Sequence, residues 1–537
     1  MKLNINHIKK IDGYIQNGQL EKALKFCDTI YDSNKNNLTL NKILAHIHGL
    51  MENYKKAIDI LEQFENSHQN DFDIANNLGY YSLQSEKIIP AAYYISKAKE
   101  LNSDAPAPYQ NSAELNIVKR NFDQAELDIN RCIELNEKIY GDYDAYLRAI
   151  IIKSDVLIAQ KKIDDVVTFF LKYLEIKFNS EICLKLVEIS HSSISLNLLE
   201  TAKNLIKNSS YISHMDKFNK LVPIYFFLAY YYEKENQKIS EDYYIKANQE
   251  IFNIQRIRMI AFQKIFKKQI DAYESIEKID IKDQTKGKEN IFIVGLPRSG
   301  TTLLESAISA NKQVFAGGEM KAFNTLYNRI SSEYESLDEG TLNKIGQAYL
   351  EVMNPIRGEF DFIVDKMPMN FSHIGFILKS LPSSKIILAL RNPWDVAISL
   401  FKQRFVNNIP YASSFFNIGV YIANFEALIN FWLSHQNIKN KIYILKYEEL
   451  VDNFSNHQKK IYDFCGISSS YESSIREKHF ARTRSMHQVQ NKINRDSIRK
   501  KDFEGFHQEF IDSYSSQREY WINNKIFFEN SYFGYFD

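Results

Sequence analysis

Cysteine, proline and any excess of charge are scarce in this chain, and each scarcity removes a class of protein. The 537 residues contain four cysteines, Cys27, Cys132, Cys183 and Cys465, with no two close together and no CxxC pair. That spacing argues against a disulfide framework or a zinc site, which need clustered ligands, and points to reduced core cysteines. Only 10 prolines are present, and 67 basic residues stand against 66 acidic ones for a formal net charge of +1. A chain so balanced is not built as a dedicated nucleic-acid binder, although a small anion needs only local positive charge. Long apolar runs are missing too. The N-terminal MKLNINHIKKIDGY has no apolar core of the secretory kind, and the suspicious stretch Leu221 to Tyr232 falls short of the ~20 residues that cross a bilayer. These readings lead to the expectation of a cytoplasmic, reduced protein with no membrane segment. What is plentiful is apolar and aromatic: 45% hydrophobic residues, with 33 Tyr and 36 Phe, over a length that calls for more than one domain.

The first half repeats itself. GQLEKALKF, NYKKAIDIL, KIIPAAYYI and NFDQAELDI align on Ala23, Ala57, Ala91 and Ala125, each 34 residues after the last. Apolar residues stand three before each alanine (Leu20, Tyr54, Ile88, Phe122) and four after (Cys27, Leu61, Ile95, Ile129), and Ala45, Gly79 and Ala113 form another column with the same 34-residue period. Small residues let paired helices approach closely, and i, i+4 apolar partners share a face. The pattern resembles tetratricopeptide repeats over residues 4–135, with Val166 and Ala202 as less regular successors. The expected α-solenoid covers residues 1–272. Its groove suits a docked peptide or protein, or the repeats serve as a scaffold that orients or dimerises the second half; both readings stay open. A polar stretch, 273–290, reads as a linker.

From 291 to 537 the pattern becomes α/β. IFIVG (291–295), DFIVDK (361–366), SKIILALR (384–391) and KIYILKY (441–447) read as strands, with helices near 302–311, 340–354, 370–380, 394–408 and 413–437. Apolar strands separated by helices imply a P-loop-like parallel sheet covered on both faces, with ligands beyond the carboxyl ends of the strands.

The first of these strands runs into GLPRSGTT. Gly295 and Gly300 have the spacing of a GxxxxGK[ST] phosphate loop, but Thr301 and Thr302 occupy the Lys and Ser/Thr places, and Arg298 has entered the loop. The backbone cradle for a phosphate is kept, while the lysine required for a triphosphate is gone. That argues against a nucleotide kinase or NTPase. At the end of the third strand, Arg391 is followed eight residues later by Ser399, a guanidinium and a hydroxyl suited to a second phosphate. Together the two places suggest a nucleotide phosphorylated at two positions.

PRSGTT after a strand, followed by RNPWDVAIS, resembles the sulfotransferase superfamily, and most nearly the tyrosylprotein sulfotransferase branch and the tetratricopeptide-repeat sulfotransferases of bacteria. The resemblance implies 3′-phosphoadenosine 5′-phosphosulfate (PAPS) as co-substrate, its 3′,5′-bisphosphate (PAP) as product, and no metal. It implies that Arg298, Ser299, Gly300, Thr301 and Thr302 hold the 5′-phosphosulfate and that Arg391 and Ser399 hold the 3′-phosphate. The family's base falls on Glu319 in FAGGEMK, its lysine on Lys366 in VDKMPMNF, and its tyrosine on Tyr447 in a KYEEL segment. Ser485 and Lys500 match a further serine and lysine, although QVQNKIN lacks the proline usual there. Glu319 would take the proton of the attacking hydroxyl, and Lys366, Arg298 and Ser485 would stabilise the sulfonate and the leaving phosphate. The acceptor stays open among protein tyrosine, carbohydrate and small alcohol or phenol. His373 and His487 are alternative bases, with His373 read as structural. A repeat scaffold with an inactive nucleotide-binding half is the remaining alternative, opposed by the intact set Arg298, Glu319, Lys366, Arg391 and Ser399.

Overall fold

The computed structural model describes residues 3–140, 146–209, 214–254, 260–333, 337–405, 409–468 and 502–524. The chain divides into two compact units, Met1–Lys161 and Lys162–Asp537.

In the first unit the 34-residue period is written into the helix boundaries. Helices begin at Leu20, Tyr54, Ile88 and Phe122, and their partners begin at Leu38, Phe72 and Pro106. Ala23, Ala57, Ala91 and Ala125 are fully buried, as are Ala45 and Ala113. At Gly79 a Cβ would come within 2.9 Å of Ile95 Cγ1, so the column of small residues is set by helix approach. Side chains of Asn37 and Asp71 cap the helices that follow them by accepting from the N–H groups of Leu40 and Ile74. The corner between paired helices also recurs. Gly18, Glu52, Glu86 and Arg120 all have φ between 58° and 68°, and the next N–H reaches back to the carbonyl five residues earlier, as from Asn53 to His48 at 2.8 Å.

The second unit opens with helices Ile163–Ile176, Ser180–Ile189, Leu196–Lys207, His214–Glu235, Gln237–Ile254 and Ile260–Ile276. Val166 and Ala202 are fully buried in the first and third of them. These helices fold with the sheet that follows. Asn248 Nδ2 donates to Phe401 O at 2.8 Å, Lys402 Nζ lies 3.0 Å from Glu233, and Arg404 pairs with Glu181. Tyr273, fully buried, packs its ring edge on Trp432. The 273–290 stretch, expected as a linker, lies inside this unit and is pinned to it: Ser383 N–H donates to Lys286 O at 2.9 Å and Ser384 Oγ to Gly287 O at 3.1 Å.

Five parallel strands form the sheet among the described residues: β1 (Asn290–Gly295), β2 (Val314–Ala316), β3 (Phe362–Asp365), β4 (Lys385–Leu390) and β5 (Ile442–Lys446), in the order β2-β3-β1-β4-β5. Every residue of β1 is buried, as expected of a central parallel strand covered on both faces. The short β2 and the helix Ala322–Glu333 were not anticipated from the sequence, and the helix expected over 394–408 ends at Phe401. Helix Phe415–Ser434 is covered by His507–Asn523, where Gly419 leaves room for Ser513 and the Phe510 carbonyl. Among the described residues no helix is long and apolar enough to cross a membrane.

Candidate active site

Each strand of the sheet delivers a polar residue just beyond its carboxyl end. The registers make these ends neighbours: Gly295 of β1 pairs with Ala389 of β4, Leu390 of β4 with Lys446 of β5, and Ala316 of β2 with Val364 of β3. Leaving β1, the chain must turn against β4, and a Cβ on Gly295 would sit 2.4 Å from the Ala389 carbonyl. The turn is closed by Ser299, whose N–H and Oγ both donate to Leu296 O, at 3.2 and 2.7 Å. Arg298 and Gly300 take left-handed conformations, with φ of 71° and 91°. Helix Thr301–Ile308 starts at Gly300 without a side-chain cap, which directs its N-terminal dipole toward the loop.

Around this loop gather the residues from β4 and β5. Arg298 Nε donates to Ser399 Oγ at 2.9 Å, and Arg391 Nη1 donates to the Arg298 carbonyl at 2.9 Å. The Arg391 guanidinium also lies over the Tyr447 ring, 4.7 Å from its centroid. Tyr447 in turn packs against Gly300, where a Cβ would be 2.3 Å from its Cδ2. Ser399 therefore meets Arg298 in this arrangement, while Arg391 reaches the loop backbone. Asn392, at the cap of Pro393–Phe401, donates its N–H to Glu448 Oε1 at 2.9 Å and ties the β4 and β5 loops together. Burial and the neighbouring Arg391 pull the Arg298 guanidinium below its ordinary pKa, opposed by Tyr230 and Glu188. An anion bound between the two guanidiniums would relieve that cost.

The ends of β2 and β3 hold the second group. Beyond β2 the ladder continues, with Gly317 N–H donating to Val364 O and Lys366 N–H to Gly318 O, at 2.8 and 2.9 Å. This pairing sets Glu319 beside Lys366, whose Nζ lies 3.1 Å from Glu319 Oε1. Lys366 has no exposed side-chain surface, whereas the Glu319 side chain is 46% exposed. Sequence reasoning missed a third member, Glu305 on helix Thr301–Ile308. It is buried, accepts the Gly318 N–H at 2.8 Å, and lies 3.9 Å from Lys366 Nζ. An acid in the mostly apolar run LLESAI, one turn after Thr301, was the available signal. Thr301 and Thr302 are buried in the first turn of that helix.

His373 is buried, with Nε2 2.9 Å from Asn324 Oδ1, and burial alone pushes its pKa down to about 4. Ser485, His487 and Lys500 lie outside the described residues.

Residues 290–472 match the Sulfotransferase family. This segment is similar to that family. It is joined in one chain to the helical repeats, and its strand ends carry the two residue groups above. An uncharacterized protein of Aquifex aeolicus is 30% identical over 234 residues, covering 40% of this chain and 30% of that one. Protein-tyrosine sulfotransferase 1 of Danio rerio is 31% identical over 114 residues, covering 19% of this chain and 32% of its own. The chain thus spans about a third of the length of these curated relatives. Among solved structures, the sulfotransferase domain of the Synechococcus PCC 7002 olefin synthase aligns with a TM-score of 0.32 at 15% identity, covering 44% of this chain and 98% of that one. A tetratricopeptide repeat protein of Parabacteroides merdae aligns at 0.31 and 13% identity, covering 46% and 92%. Within the matched segment, Arg298, Glu319, Lys366, Arg391, Ser399 and Tyr447 all fall among the described residues.

Proposed function

We propose that this protein transfers a sulfuryl group from PAPS to a hydroxyl acceptor, with Glu319 as the general base. The observation that carries the proposal is the pairing of Glu319 with the buried Lys366, beside a glycine loop that carries Arg298, lacks the phosphate-loop lysine and is met by Arg391 from the end of β4. The residues fit the donor. Gly300 and the first turn of helix Thr301–Ile308, with Arg298, would hold the 5′-phosphosulfate, and Arg391 and Ser399 the 3′-phosphate. Tyr447, stacked under Arg391, would line the same pocket.

In the reaction the acceptor oxygen forms a bond to sulfur as the bond from sulfur to the 5′-phosphate oxygen breaks. The acceptor proton passes to Glu319, and the negative charge that grows on the departing phosphate falls to Lys366 and Arg298. Positioning and electrostatics carry the barrier reduction, as in phosphoryl transfer. Likeness to a protein-tyrosine sulfotransferase supports a tyrosine hydroxyl among the acceptors, alongside sugar and small-molecule hydroxyls, and the 34-residue repeats would dock a peptide or protein that carries it.

The test combines labelled PAPS with cell extract, followed by mass identification of the sulfated product. Glu319→Gln keeps shape and hydrogen bonding but cannot take a proton. Its turnover is expected to fall by roughly 10²- to 10⁴-fold, with donor affinity within a few fold. Wild-type turnover in that variant would remove Glu319 from the role.

A further inference from the structure

We propose that Glu305 is a positioning residue for this transfer: a permanent counter-ion that keeps the Lys366 ammonium aimed and charge-balanced while Glu319 takes up the acceptor's proton. The inference rests on the sulfuryl-transfer reading above and assigns a division of labour within that site.

The two acids beside Lys366 are not equivalent. Glu319 lies 3.1 Å away and is 46% exposed, so an acceptor can reach it, whereas Glu305 lies 3.9 Å away with its side chain 1% exposed. Lys366 has no exposed surface at all and cannot trade a lost partner for water. A general base gives up its negative charge at the moment it works. If Glu319 were the only acid, its protonation would strand a buried ammonium, and removing one partner of a buried pair is strongly unfavourable. Glu305 is sealed from the acceptor, so it is not the acid that receives the proton and is left beside Lys366 as counter-ion through that step.

Its other contact suits the same task. Glu305 Oε1 accepts the N–H of Gly318, the residue before Glu319, and the Gly318 carbonyl accepts the Lys366 N–H. One carboxylate therefore holds both the lysine and the loop that carries the base. It does so from helix Thr301–Ile308, whose first turn follows the Arg298 loop, so donor loop, lysine and base loop share one rigid element.

The test is a double-mutant cycle read in two ways. Glu305→Gln keeps the acceptor for Gly318 and removes only the charge. With labelled PAPS and extract as the acceptor pool, its kcat is expected to drop about 10- to 100-fold while the KM for PAPS stays within about threefold. Glu305→Asp, which restores charge at shorter reach, should recover part of the loss. In a Lys366→Met background, Glu305→Gln should cause no further loss. Equal fold-losses in both backgrounds, or wild-type kcat in Glu305→Gln, would overturn the proposal. The second reading is urea unfolding of the same four proteins, which needs no turnover. Glu305→Gln should lower the midpoint when Lys366 is present and leave or raise it when Lys366 is gone, because the acid is then the stranded charge. Additive shifts would show that Glu305 does not balance Lys366. Absence of any transfer from PAPS by the wild-type protein would overturn the sulfuryl reading and the catalytic half of this proposal, while the unfolding cycle still decides the charge balance.

Discussion

Gly300 is a position where one added carbon would meet a backbone cost and a packing cost together. Its φ is 91°, and a Cβ there would lie 2.3 Å from Tyr447 Cδ2 and 3.0 Å from Cε2. Two costs add in Gly300→Ala. The left-handed conformation costs an alanine about 1–2 kcal/mol. Forcing the ring aside adds overpacking of about 1–3 kcal/mol, because the contact is near the base of the ring and the Arg391 guanidinium lies 4.7 Å from its centroid. Gly466 provides the control: its φ is 73°, and a Cβ there meets nothing within 4 Å. Gly466→Ala therefore isolates the backbone term. Urea unfolding should show Gly300→Ala losing ~1–3 kcal/mol more than Gly466→Ala. Isothermal titration should show weakened binding of adenosine 3′,5′-bisphosphate only for Gly300→Ala. Adding Tyr447→Ala should return part of the lost stability, since the obstacle is gone. Equal losses at the two glycines, with unchanged nucleotide binding, would refute the view that Tyr447 and the loop are packed as one piece.

Two further outcomes follow from burial and charge. A fragment spanning 162–537 should be soluble and bind the bisphosphate. One starting near 286 should aggregate on size-exclusion chromatography, because it loses Asn248, Glu233 and Glu181 as partners of Phe401, Lys402 and Arg404, and Tyr273 from the Trp432 face; a monomeric, active short fragment would contradict this. Burial lowers the His373 pKa to about 4 from 6.5, so the folded state refuses a proton that the unfolded state accepts. His373 therefore contributes stability that is fully present above pH 6.5 and is lost as pH falls toward 4, at up to ~1.4 kcal/mol per pH unit. His373→Gln should flatten that part of the unfolding-midpoint profile, and an unchanged slope would count against the assignment.

What could be read in advance depended on how local the cause was. The repeat was legible because its columns, Ala23 to Ala125, answer to helix contact within one 34-residue unit. Strands β1, β3, β4 and β5 were legible as apolar runs, but three residues of β2 carry too little pattern to register. The helix after β4 was overextended because its stop is not written nearby. The Phe401 carbonyl is taken by Asn248, 153 residues earlier, and Lys402 turns to pair with Glu233 and Asp502. Helices 163–276 carry the periodicity of a solenoid, yet Glu181, Glu233, Asn248 and Tyr273 on them reach the helix and turn after β4 and helix Phe415–Ser434, which periodicity alone does not reveal. At the site, Arg298, Glu319, Lys366 and Arg391 stood out by motif, while Glu305 was hidden because an acid on an apolar helix declares itself only once its partner, 61 residues away, is in place.

The register between β1 and β4 has a consequence for selectivity. Gly295 faces Ala389 in the ladder, and Arg298 and Arg391 stand three and two residues beyond that rung. The two arginine-bearing turns thus leave the sheet from adjacent strands, ~4.8 Å apart, and neither strand can slide without breaking the central hydrogen bonds. In the proposed reading the pair of turns would act as a caliper with a locked jaw. With the proposed donor bound, it would measure the distance between that molecule's two anionic groups, and a ligand of the right charge but the wrong span would engage one side only.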